Sequence, residues 1–95
     1  MYLRFWNDPE TGLPHIYDHG VTEDDEVCQV MIGKGLDYPE KGDSRVRLGT
    51  TASGRALKVV YFPDKGSLSA FIVTSYDLKG KALKAYRRAK RRKRK

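Results

Sequence analysis

From Arg45 to Tyr76, apolar and polar positions alternate with a period of two, the pattern of strands buried on one side. Three runs carry it: RVRLGTT from Arg45, RALKVVYF from Arg55 and SLSAFIVTSY from Ser67. Ala52-Ser53-Gly54 and Pro63-Asp64-Lys65-Gly66 separate them, and both are turn-forming, so the spacing predicts a three-stranded antiparallel meander. Val59 to Phe62 and Ala70 to Val73 are apolar on both faces, which puts the second and third runs near the sheet centre. The Arg45 run reads as more exposed, with Val46 and Leu48 inward and Arg45 and Arg47 on the other face. YLRFW, residues 2–6, predicts one further strand, stopped by the turn-forming Asn7-Asp8-Pro9.

Helical periodicity occupies the rest. Pro14 suits a first helical turn, so PHIYDH, residues 14–19, predicts a short helix closed by Gly20. A second helix is predicted from Glu23, with Thr22 as N-cap and four acidic residues, Glu23 to Glu26, against the positive end of the dipole. Its buried face is Val27, Val30 and Met31, and Gly33 to Gly35 end it. Residues 36–44, LDYPEKGDS, show no apolar period and read as a loop. Asp77 is the expected cap of a last helix whose apolar stripe is Leu78, Ala82, Ala85, Tyr86 and Ala89, bordered by Leu83. Beyond Ala89 only charge remains, which predicts fraying.

These elements sum to an α+β fold of order β-α-α-β-β-β-α, an antiparallel sheet of about four strands with helices packed on one face. A chain of 95 residues with 39% apolar content supports one core, so residues 1–89 are expected to form a single domain and 90–95 a basic tail.

Charge changes the picture. Residues 1–44 hold three basic side chains against ten acidic; residues 45–95 hold sixteen basic against Asp64 and Asp77 alone. Eight of the last nine residues are Lys or Arg, and without them the remaining chain is nearly neutral. Such a dense cationic segment is the expected footprint of a polyanion binder, since each phosphate neutralised releases counterions. The candidate phosphate contacts are Arg45, Arg47 and Arg55 on the strands and Lys81, Lys84, Arg87, Arg88, Lys90 and Arg91 on the last helix and its extension. RNA or another polyanion is therefore the expected partner. The tail lacks bulky apolar residues to insert into a membrane.

Candidate chemistry is sparse. His15 and His19 stand at i, i+4, yet no third ligand follows at a plausible spacing, so no metal site is expected; His19, just before Gly20, fits a capping role. No GxSxG, P-loop or GxGxxG occurs, which argues against serine-nucleophile and nucleotide-dependent chemistry, and no cofactor is expected. Metal-free RNA cleavage needs only a base, an acid and a cation beside the 2′-hydroxyl. His15 or His19 are the candidate acid or base, Arg47 and Arg55 the phosphate-stabilising groups, and Tyr76 a candidate for stacking or proton transfer. A lone cysteine, Cys28, excludes an intramolecular disulfide, and the first residues carry no charged-then-apolar leader, which together predict a cytoplasmic protein.

Four stretches, HGVT at 19–22, RLGTTASGRALKVVYF at 47–62, FIVTSY at 71–76 and AYRR at 85–88, resemble the small BrnT-type toxins of bacterial toxin–antitoxin pairs. The resemblance spans His19 to Arg88. It implies a RelE-like fold, ribonuclease activity and neutralisation by a small antitoxin protein. Where such toxins commonly carry an arginine after the last strand this chain has Tyr76, and no acidic residue follows Asp77; Lys81 and Lys84 stand as replacement cations.

Overall fold

The computed structural model describes residues 2–7, 9–12, 16, 21, 26–33, 35–64 and 69–93. Among them the chain forms β1 (Tyr2–Phe5), α1 (Cys28–Ile32), β2 (Gly35–Pro39), β3 (Arg45–Thr50), β4 (Ala56–Pro63), β5 (Ser69–Asp77) and α2 (Gly80–Lys93). The fold is α+β, with one mixed sheet of five strands in the order β1-β5-β4-β3-β2. Strands β2 to β5 are an antiparallel meander, and β1 lies parallel to β5 at the other edge.

The expected sheet of about four antiparallel strands is thus corrected twice. Residues 35–39, most of them assigned to a loop, form β2, paired from Gly35 opposite Gly49 to Pro39 opposite Arg45. Their composition hides the strand, because Gly, Asp and Pro are poor strand formers, and the ladder to β3 supplies what propensity lacks. This outer strand also moves β3 to an interior position, not the more exposed one its arginines suggested. The meander from β3 to β5 is as the alternation predicts, with a turn in which Thr51 N–H donates to Arg55 O at 2.8 Å and Gly54 takes φ +91°. Strand β4 is central and β5 is its neighbour, as predicted.

Helices cover both faces of the sheet, which corrects the one-face expectation. On the first face Val27, Val30 and Met31 pack with Leu57, Val59, Tyr61, Ala70 and Ile72, along with Ile16 and Val21. On the opposite face Leu78 and Tyr86 pack with Val46 and Leu48. Alternation makes two cores unavoidable: β4 sends Leu57, Val59 and Tyr61 one way and Ala56 and Val60 the other, and each set needs a cover. Leu57, Val59, Ile72 and Val46 are fully buried, each contributing about 1.5–3 kcal/mol to stability.

The buried face predicted for α1 is observed, and the helix stops at Gly33, whose N–H donates to Gln29 O at 3.0 Å. Thr22 and the acidic residues 23–25 lie outside the described residues, as does the predicted helix at 14–19 apart from buried Ile16. Asp77 does not cap α2; it belongs to β5, and the helix begins three residues later at Gly80. The apolar stripe shifts accordingly, with Tyr86 buried, Leu83 half-buried and Ala82 and Ala85 exposed. Helix α2 runs on to Lys93, past Ala89 where fraying is predicted, consistent with the good helix propensity of Lys and Arg and the favourable placement of cations at a C-terminus.

Candidate nucleic-acid interface

Of the strand arginines on the α1 face, Arg47 and Arg55 are engaged through all three guanidinium nitrogens and Arg45, among the described residues, through Nε alone. Arg47 donates through Nε to Val30 O at 2.8 Å and through Nη2 to Gly33 O at 2.5 Å, meeting carbonyls that the end of α1 leaves without helical partners. Its Nη1 reaches Asp37 Oδ2 at 3.3 Å, and Arg45 Nε donates to Asp37 Oδ1 at 2.6 Å. Tyr61 donates its hydroxyl to the same Asp37 carboxylate. Burial pushes the Asp37 carboxyl up, but the bonds from Tyr61, Arg45 and Arg47 together outweigh it and hold the group below the usual carboxylate range. Burial, then the bond to Asp37, raises the Tyr61 phenol.

Arg55 is held as firmly. It grips Asp77 with Nε at 2.5 Å and Nη2 at 2.9 Å, a two-pronged contact, and donates from Nη1 to Glu26 Oε2 at 2.6 Å. The bond to Asp77 is the main reason that the guanidinium holds its proton more tightly than usual, and the same bond lowers the Asp77 carboxyl. Arg55 thereby ties the end of β5 to the residue just before Val27. Nearby, Gln29 Oε1 accepts from Ala52 N–H at 2.6 Å, fixing the β3–β4 turn against α1.

These positions divide the candidate catalytic set. Arg47 and Arg55 point to the α1 side, whereas Tyr76 is paired in register with Lys58 on the opposite side. His15 and His19 lie outside the described residues. Ser75, which alternates with Tyr76 and faces α1, is fully buried, and its hydroxyl makes no hydrogen bond. Among the described residues the candidate catalytic set is therefore not brought together: Arg47 and Arg55 lie on one face and Tyr76 on the other.

The remaining candidates share one element. On α2, Lys81, Lys84, Arg87, Arg88, Lys90 and Arg91 are all exposed, and no acidic residue interrupts the helix between Gly80 and Lys93. Lys81, Lys84, Arg88 and Arg91 recur at i, i+3, i+7 and i+10, which aligns them in a row about 15 Å long on one side. Tyr86 fixes the helix from below: its hydroxyl lies 2.8 Å from Thr50 Oγ1. Lys90 sits at the margin, with Nζ 5.9 Å from the Tyr86 ring centre and 3.4 Å from Thr50 Oγ1.

Beside this helix the same sheet face carries cations over aromatic rings. Lys58 Nζ lies 5.6 Å from the Tyr76 ring centre, and its hydrogen bond to the Tyr76 side chain raises its pKa. Arg4 lies 5.4 Å from the Phe71 ring and also pairs with Asp64 at 2.7 Å. Phe62, opposite Phe71 in register, is 42% exposed. Sequence reasoning missed Arg4, Phe62 and Phe71; the available signal was three outward-facing positions on β1, β4 and β5 carrying a cation or a ring.

Among the described residues no group of three or more His, Cys, Asp or Glu side chains is arranged to hold a metal ion, and no helix is long and apolar enough to cross a membrane. Comparison with protein-family models, with curated proteins and with solved structures finds no match for this chain.

Proposed function

We propose that this protein binds nucleic acid, RNA foremost, through the exposed face of α2. The observation that carries the reading is the helix itself: a row of cations from Lys81 to Arg91, held rigid on the sheet by Tyr86 and Leu83, without one carboxylate among them. Natural surfaces normally mix both signs, and a single-sign row matches a phosphate backbone. The site binds and does not itself require a reacting group. The BrnT-like reading adds RNA cleavage and a small antitoxin partner, and the assay below reads cleavage separately.

The test is fluorescence anisotropy with a labelled RNA at low salt, followed by electrophoresis of the same RNA after prolonged incubation without metal. Binding should weaken steeply with salt. The double substitution Lys84→Glu and Arg88→Glu should lower affinity at least about tenfold and flatten the log–log salt slope by roughly 1.4–1.8, the share of two phosphate contacts. Intact RNA with clear binding supports the noncatalytic form; shortened RNA supports the ribonuclease. Absence of binding at low salt overturns the proposal and leaves an acidic protein as the charge-complementary partner.

A further inference from the structure

We infer that the nucleic acid bound here is single-stranded, and that its bases stack on the sheet face beside α2, on Phe62, Phe71 and Tyr76. This rests on the reading of α2 as the phosphate-binding element. Three neighbouring strands build this platform. Arg4 on β1 is opposite Phe71 on β5, and Phe71 is opposite Phe62 on β4, so one cation and two rings form a continuous row across the sheet. Further along the same two strands, Lys58 and Tyr76 form a second cation–ring pair. Lys58 and Phe62 are four positions apart on β4, so the two ring sites stand about 13 Å apart along the strand.

Phe62 is exposed and Phe71 half-buried, and neither belongs to the apolar cluster under α2, which takes in Leu36, Val46, Leu48, Ala56 and Val60. A face meant only to be wetted is more stable with polar residues, and a face meant for an apolar protein surface would not carry Arg4 and Lys58 directly over its rings. Rings flanked by cations, next to a basic helix, meet the two needs of a single strand: π-faces for unstacked bases and positive charge for the backbone. A duplex keeps its bases inside and could use only α2. Asp64, paired with Arg4 at 2.7 Å, borders the platform and keeps that cation oriented when no ligand is present.

The experiment compares, at one low salt concentration, oligouridylate, oligothymidylate, a duplex of equal length and an abasic oligomer with the same phosphates. Both single strands should bind more tightly than the duplex and the abasic chain, and the ratio of oligouridylate to oligodeoxyuridylate, added as a fifth probe with the same base, identifies which sugar is preferred. Phe62→Ala should weaken single-strand binding by about 5- to 100-fold while leaving duplex and abasic binding unchanged, and Phe62→Trp should restore it where Phe62→Leu does not. Phe62 is a surface residue, and a thermal melt of each variant confirms that the fold is kept. Equal affinity for all five probes, or single-strand binding indifferent to Phe62→Ala, overturns the stacking site yet leaves the α2 reading standing. Failure of every probe to bind overturns both.

Discussion

Arg47 shows how one residue can be identified correctly as important and given the wrong work. A guanidinium on an alternating strand reads as a phosphate contact, but here its three nitrogens are spent on Val30 O, Gly33 O and Asp37. It serves as a C-terminal cap of α1 supplied from another strand. The planar fork matters, because two carbonyls and a carboxylate are met at once, and a lysine ammonium is a single point with different reach. Arg47→Lys should therefore destabilise the fold by about 2 kcal/mol, seen as a lower urea midpoint with unchanged slope, and should leave RNA affinity per folded molecule unaltered. A loss of affinity without loss of stability would return Arg47 to the binding surface. The reason that sequence could not reveal this is distance along the chain: Val30 is 17 positions away, and no local pattern links a helix end to an alternating arginine.

At the scale of elements, two glycines facing each other set close approaches: Gly49 that of α1 to the sheet, Gly35 that of β2 to β3. Gly35 on β2 pairs with Gly49 on β3, on the side covered by the helix. A Cβ at Gly49 would stand 2.9 Å from Val30 Cγ1, and one at Gly35 would run into the backbone carbonyl of Leu48. Gly49→Ala should cost about 1–2 kcal/mol, and less in a Val30→Ala background, where room is made; Gly35→Ala should cost about 2–3 kcal/mol in either background. Denaturation midpoints of the three single and two double variants, beside the wild type, check this, and equal costs for Gly49→Ala with and without Val30 would refute the packing account. Both glycines were visible in the sequence, one as a helix stop and the other inside a strand. Their pairing was not, because residues 36–44 gave no strand signal and so β2 was absent from the expected sheet.

For the whole molecule, two carboxylates among the described residues link the fold to pH. Asp37 is held low by Tyr61, Arg45 and Arg47 despite burial, and Asp77 by Arg55. Both folded-state values lie below the unfolded one, so their stabilisation is complete above about pH 4 and is lost as pH falls toward and through the folded values, where the unfolded chain takes up protons first. Urea midpoints should be flat near neutrality and drop below about pH 4. Asp77→Asn should lower the midpoint at pH 7 and shrink the acid-dependent part; an unchanged acid limb in that variant would remove Asp77 from the account. Added salt separates the two contributions, since it screens the general repulsion of a +7 chain more than these partly buried pairs.

Local periodicity in the sequence determined β1, the β3–β5 meander, the buried face of α1 and the existence of a basic final helix, because each depends on neighbours within a few residues. It also placed the cations of α2, the group on which the proposed function rests. Tertiary structure alone decided which arginines remain available. Arg45, Arg47 and Arg55 meet carboxylates or carbonyls between 8 and 29 positions away, and such pairs form only when separate strands and a helix end are brought together. It also decided that the helices take opposite faces, that β2 completes the sheet, and that Arg4, Phe71 and Phe62 line up across three strands. Strand pairing is set by hydrogen bonds and side-chain contacts between distant segments, and those energies leave no period in the sequence to read.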